Sequence, residues 1–205
     1  MNGWRRHHGH AVVLDRENID TDQLIPARFM STPRAEGYGR FLLHDLRHDP
    51  DGNLLPGFLL NRYPNASVLI TRRNFGSGSS REAAVYALLD FGIRAVIAPS
   101  FGDIFAGNAA NNGLLAARAS VDDVDRVIAA LGDQDAAAEI DLEQGTLHLV
   151  DITVHFALEA VRREKLINGW DDIDLTRQHS TAIAAFRAAY TRRNRWAFPP
   201  VGSAD

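Results

Sequence analysis

Residues 74–88 read NFGSGSSREAAVYAL, and the fold of the chain turns on how this stretch is interpreted. Gly76, Ser77 and Gly78 lead into Ser79, Ser80, Arg81 and Glu82. A helix-forming run follows, in which Ala84, Leu88 and Phe91 fall at i, i+4 and i+7, one face of an amphipathic helix. Just upstream, residues 67–71 (SVLIT) have the composition of a buried strand. Strand, glycine-rich turn and helix in succession aim free backbone N–H groups and the positive end of the helix dipole at one spot, which suits an anion. Two hydroxyls and one guanidinium fall in the first turn of the predicted helix, at that same spot. Capping accounts for the same residues: Ser79 or Ser80 would cap the helix, with Glu82 completing a capping-box-like start. The stretch is neither a Walker loop, since no Lys-Ser/Thr follows the last Gly, nor G-x-G-x-x-G. The residues alone leave cap and anion site both open.

Moving outward, residues 94–99 (RAVIAP) predict a second short buried strand, and Ser100 with Asp103 has capping-box spacing at the start of a further segment. Strand–helix–strand–helix order with tight links argues for a layered α/β core. Towards the N-terminus, residues 1–9 read as a loose leader and 10–15 (HAVVLD) as a strand. In 18–30 (NIDTDQLIPARFM), Asp20 and Asp22 flank a Thr, and Arg28 follows; the plain reading is an Asx-rich turn that caps the next segment. Residues 31–39 (STPRAEGYG) predict a polar loop whose Arg34 is free to reach a ligand or simply solvated. Residues 41–47 suggest a helix, and 48–57 carry Asp-Gly and Pro-Gly turn signals. Asp49, Asp51 and Asn53 alternate like the start of a calcium loop, but Gly52 is misplaced and no Glu closes it, so no metal is assigned.

Towards the C-terminus, residues 120–131 predict a helix capped by Ser120 and stopped by Gly132, with Val124, Val127, Ile128 and Leu131 on its apolar face. Residues 139–151 alternate as a hairpin about Gln144-Gly145. Residues 156–165 and 176–195 are helix candidates, the second with Ile183, Phe186 and Tyr190 on one face, and the tail from Pro199 reads as disordered.

The 205 residues suffice for one large domain with a proper core. A hydrophobic fraction of 45% with 23% charged residues is that of an ordinary globular protein. A net charge of −4 and a pI near 6.0 give no reason to expect nucleic acid as a partner. There is no cysteine, which excludes disulfides, a thiol nucleophile and any thiolate-held metal or iron–sulfur cluster supplied by this chain. No apolar run approaches the roughly 20 residues that span a bilayer, and the first residues show no signal-type apolar core. The expectation is a cytoplasmic protein.

Taken together, NIDTDQLIP, YPNASVLI, NFGSGSSREAA, RAVIAPSFGDIF, NGLL and LINGWDDIDLT resemble the family of 3-isopropylmalate dehydratase small subunits, from about Val12 to about Phe186 and with the motifs in order. Members are the swivelling-domain partners of aconitase-like enzymes. The resemblance implies a three-layer β/β/α swivelling domain of the α/β class, a single domain over 1–205 with its core at about 10–190 and flexible ends at 1–9 and 197–205. It implies a separate large subunit carrying a four-iron four-sulfur cluster, and no cofactor bound by this chain itself. The implied reaction is isomerisation of 2- and 3-isopropylmalate, small dicarboxylates, by dehydration and rehydration in leucine biosynthesis. By similarity Ser79 is the base that removes the carbon-bound proton and Arg81 binds a substrate carboxylate. Asp22 matches a catalytic acid and Arg28 a substrate-binding arginine; Gly78, Ser80 and Arg34 complete the expected substrate contacts. The chain departs from the common pattern at Ser77, where many members have Cys, at Ala83, where they have His, and in AGNAANNG, which lacks the usual Cys and aromatic residue. Related hydro-lyases of homoaconitate, citraconate or 2-methylmalate therefore stand as alternatives, as does a non-enzymatic anion-binding module.

Overall fold

Seven strands form a closed barrel, and the computed structural model describes residues 2–198 of the chain. In chain order the strands are β1 (Arg6–Leu14), β2 (Val68–Thr71), β3 (Ala95–Ala98), β4 (Leu115–Ala119), β5 (Ala136–Asp141), β6 (Thr146–Leu149) and β7 (Ile152–Ala157). They close in the order β1-β2-β3-β4-β7-β6-β5. The first four run parallel, and the other pairings are antiparallel. Parallel neighbours need long crossovers, usually helical. The link from β2 to β3 is α4 (Glu82–Phe91), and that from β3 to β4 is α5 (Asp103–Asn112). From β1 to β2 the chain makes a longer excursion through the one-turn helices α1 (Thr21–Leu24), α2 (His44–Arg47) and α3 (Leu59–Arg62).

Side-chain alternation along the parallel strands divides them between two cores. Ala11, Val13, Val68, Ile70, Ala95, Ile97, Leu115 and Ala117 join the inner core with Ile140, Leu147, Val154 and Phe156. The intervening Val12, Leu14, Leu69, Val96 and Ala98 face the other way, into an outer core with Ala84, Val85, Leu88 and Phe105 of the crossover helices. Two β-layers with helices over one of them make this an α/β protein, as expected. The helix α6 (Val121–Leu131) adds Val124, Val127 and Leu131 to the inner core. Ser120 caps it, accepting from the backbone N–H of Asp123, and Gly132 ends it, both as the sequence predicts.

The strands at 10–15, 67–71 and 94–99 are present, as is the hairpin, whose turn holds Gly145 at φ 67°. Three expectations are corrected. Residues 6–9 are not a loose leader but pair with β5, from Arg6↔Asp141 to Gly9↔Ala138. Their outward side chains are polar, so the backbone ladder holds them where no apolar pattern announces a strand. The helix expected at 156–165 begins only with α7 (Ala160–Asn168), because Val154 and Phe156 alternate into the inner core as β7. The helix expected at 41–47 is a one-turn 3-10 segment, Gly39–Phe41, followed by α2, with Leu43 between them in the left-handed region at φ 49°.

The chain divides into two compact units, at 1–170 and 171–205. In the second, the predicted helix at 176–195 is two helices, α8 (Asp172–Arg177) and α9 (Ser180–Arg193). Asp171 caps α8 in a capping box with Asp174. No residue of α9 is buried, and Ile183, Phe186 and Tyr190 are exposed. Ala197 ends a 3-10 turn, while the tail expected to be disordered from Pro199 lies outside the described residues.

Candidate active site

Three loops leave the carboxyl ends of β1, β2 and β3 and run side by side. In a parallel sheet that edge is where ligands collect. Isolated bridges tie Asp20 to Ser77 and Phe75 to Phe101, extending the sheet beyond its strands. Asn18 and Asn74 both take the left-handed backbone that Asn tolerates, at φ 56° and 63°, and Asn74 Nδ2 donates to Asn18 Oδ1 at 2.8 Å. The Gly76 N–H donates to the Ile19 carbonyl at 2.7 Å. Gly76 sits at φ +70° with Phe105 so close that an added Cβ would lie 2.2 Å from its ring, so no other residue fits.

This packing sets the position of Ser79. The backbone N–H of Thr21 donates to the Ser77 carbonyl at 2.9 Å, and the Thr21 hydroxyl donates to the Ser79 carbonyl at 3.0 Å. Thr21 Oγ1 lies 3.3 Å from Ser79 Oγ. Thr21 is itself fixed: it is 1% exposed and opens α1, where Asp20 and Gln23 form a reciprocal capping box. Gly78 at φ +94° and a tight turn, Arg81 N–H to Ser79 carbonyl at 2.8 Å, then swing the chain into α4. Gly78, Ser79 and Ser80 are exposed.

The capping reading of the serines does not survive. The cap of α4 is Arg81, and no side chain caps it. The hydroxyls therefore precede the helix instead of lying in its first turn, and the opening N–H groups of α4 remain available to an anion. Asp20, by contrast, is the Asx cap that the sequence suggests, while Asp22 turns to pair with Arg81 Nη1. Ser79, Ser80, Gly78, Arg81 and Asp22 thus share one corner of the molecule.

The other two arginines are engaged elsewhere. Arg28 pairs with Asp45 of α2 and stacks over Phe29, and its guanidinium holds the Asp45 carboxyl below the usual carboxylate range. Arg34 is not free. Both its terminal nitrogens donate to Asp90, at 2.7 and 3.0 Å, and its guanidinium lies over the rings of Tyr86 and Tyr38. Asp90 also accepts from the Tyr38 N–H at 2.7 Å, so one carboxylate pins the 31–39 loop to the far end of α4. Loop composition gave no hint of this, because the partner lies 56 residues away.

Sequence reasoning passed over Thr21, though it lies between Asp20 and Asp22 in NIDTDQLIP; only the approach of α1 to the 76–80 loop reveals its contact with Ser79. Among the described residues no cluster of His, Asp and Glu is arranged to hold a metal, and the absence of cysteine leaves no thiolate to hold an iron–sulfur cluster.

Residues 1–121, which hold the parallel strands and the corner at Ser79 and Arg81, match the aconitase C-terminal domain family. The chain is 41% identical over 191 residues to the 3-isopropylmalate dehydratase small subunit of Shouchella clausii, spanning 92% of this chain and 97% of that one. It also matches the crystal structure of a 3-isopropylmalate dehydratase from Methanocaldococcus jannaschii, with a TM-score of 0.65 and 25% identity, over 88% of this chain and 98% of the other. The chain belongs to the family of 3-isopropylmalate dehydratase small subunits.

Proposed function

We propose that this chain supplies part of the active site of a hydro-lyase that interconverts 2- and 3-isopropylmalate, and that Ser79 is its base. The observation that carries the reading is an exposed serine hydroxyl which caps nothing, held at the sheet's carboxyl edge against a buried threonine, two residues before Arg81. Ser79 Oγ, as the alkoxide, takes the carbon-bound proton of one isomer and becomes the hydroxyl; it returns that proton to a substrate carbon when water adds back. Serine has a high intrinsic pKa, so its alkoxide needs fixed positive groups nearby. The uncapped N-terminus of α4 is such a group, and Arg81, which caps that helix by its backbone and pairs with Asp22, carries the nearest charge in the sequence.

The substrate is a dianion, and a planar guanidinium is matched to a carboxylate. Arg81 would receive one carboxylate while Asp22, bonded to its Nη1, holds the fork in orientation. The backbone N–H groups around Gly78 and Ser80 add donors without adding mobile charge. This chain has no ligand set for an iron–sulfur cluster, so the group that would polarise the departing hydroxyl belongs to a large subunit, the proposed partner. Cytoplasmic placement is proposed from the family to which the chain belongs.

Ser79→Ala tests the reading, measured in the complex with the large subunit at equal cluster content. Because Ser79 is exposed and caps nothing, its loss should change stability by no more than about 0.5 kcal/mol. Turnover should fall by roughly three orders of magnitude or more, with KM changed little. Ser80→Ala is the matched control. A Ser79→Ala complex that turns over like the wild type refutes the assignment, and an inactive Ser80→Ala beside an active Ser79→Ala moves the base to the neighbouring hydroxyl.

A further inference from the structure

We infer that Thr21 is a positioning residue whose hydroxyl holds Ser79 Oγ and turns its O–H to donate a hydrogen bond to Ser79 whenever Ser79 is the alkoxide. The inference rests on the reading of Ser79 as the base and adds the group that prepares it. A threonine hydroxyl has one hydrogen and two lone pairs. Thr21 Oγ1 has two neighbours in reach, the Ser79 carbonyl oxygen at 3.0 Å and Ser79 Oγ at 3.3 Å. It can donate to only one of them at a time.

The protonation state of Ser79 decides which. When Ser79 carries its proton, its O–H donates to Thr21 Oγ1 and the Thr21 hydrogen goes to the carbonyl. When Ser79 is the alkoxide it has nothing to donate, and a charged acceptor draws the hydrogen more strongly than a neutral carbonyl. The Thr21 O–H then rotates to Ser79 Oγ. When Ser79 takes the substrate proton, the arrangement reverts. Only rotation about one C–O bond is involved, and no atom of Thr21 is consumed.

The surroundings are built for this. Thr21 is 1% exposed, so water does not compete for its hydrogen. It is the first residue of α1, held by the capping box of Asp20 and Gln23 and by its own N–H on the Ser77 carbonyl. Gly78 beside it turns the loop through a backbone at φ +94° that L side chains rarely adopt. A buried threonine needs a partner for its hydroxyl, and the carbonyl alone would satisfy it. The second contact, to the exposed Oγ of Ser79, is what points to a role in the reaction.

The test is steady-state kinetics of Thr21→Val, Thr21→Ala and Thr21→Ser in the reconstituted two-subunit enzyme with 3-isopropylmalate, alongside Ser79→Ala. Losing one donor to a developing oxyanion costs on the order of 10²-fold in kcat. Thr21→Val and Thr21→Ala should show a loss of that order with KM within about twofold, whereas Thr21→Ser, which keeps the hydroxyl, should stay within about threefold of wild type. If Val and Ala variants fail to assemble, Thr21→Ser decides alone: a tenfold or greater loss of kcat overturns the inference. So does a Val or Ala variant with wild-type kcat, a loss confined to KM, or a Ser variant no better than Val. An active Ser79→Ala removes the base assignment itself; an inactive Ser79→Ala beside a fully active Thr21→Val removes the role of Thr21 alone.

Discussion

The two halves of the barrel use the same backbone geometry for different ends. β2 and β3, VLIT and AVIA, are buried along their whole length, because one face meets the inner core and the other is covered by α4 and α5. β6 and β7 alternate: Leu147, Leu149, Val154 and Phe156 point inward, while His148, Thr153 and His155 are exposed. Parallel strands need crossovers, crossovers cover a face, and covered strands become continuously apolar. The same crossovers bring three loops to one edge, beside the uncapped N-terminus of α4, and that is where the candidate site lies. The antiparallel half joins its strands by tight turns and assembles no such corner; it closes the barrel and completes the inner core. Site and scaffold thus differ by strand direction more than by composition.

Substitutions can break the contrast in order of severity. Leu69→Ala removes a fully buried side chain from the outer face of a strand covered on both faces, and should cost about 4 kcal/mol. Its partner in the other half, the outward His148→Ala, should cost less than about 0.5 kcal/mol. Urea unfolding of the two variants measures the difference, and equal losses would mean that both halves bury their outer faces alike. Gly76→Ala comes next, at about 3 kcal/mol, since its Cβ would overlap the Phe105 ring from a left-handed backbone. A Gly76→Ala chain with unaltered unfolding would show that the loop yields easily and does not depend on α5 for its shape.

The smallest effect sharpens the picture of closure. One of the two seams between the halves runs from β5 to β1, where Arg6 pairs across to Asp141. Donation from the Gln144 backbone, with Arg6 and the Glu143 backbone adding to it, holds the Asp141 carboxyl below its ordinary 3.8. A carboxyl depressed in the folded state stabilises above its unfolded value, and that contribution is lost as pH falls through the folded value. Asp141→Asn should therefore cost about 1–2 kcal/mol near neutral pH. The gap to wild type should narrow once pH drops below about 4. Unfolding at several pH values checks this; a gap independent of pH would mean that shape, not charge, holds the seam.

The sequence by itself determined the parts whose signal is local. Short continuous apolar runs marked the parallel strands, and Ser120 and Gly132 bounded α6, because caps and burial patterns act within a few residues. Absence of cysteine settled that no thiolate comes from this chain. The ordered motifs placed Ser79 and Arg81 within a family. Tertiary structure decided everything that depends on distant partners. Residues 6–9 become a strand only because β5 offers a ladder, and Arg34 is immobilised only because Asp90 arrives from the end of α4. Thr21 meets Ser79 across 58 residues, through a helix of four that no periodicity predicts. Local preferences are written into neighbouring residues, whereas a hydrogen bond between two loops depends on where the strands beneath them have been placed.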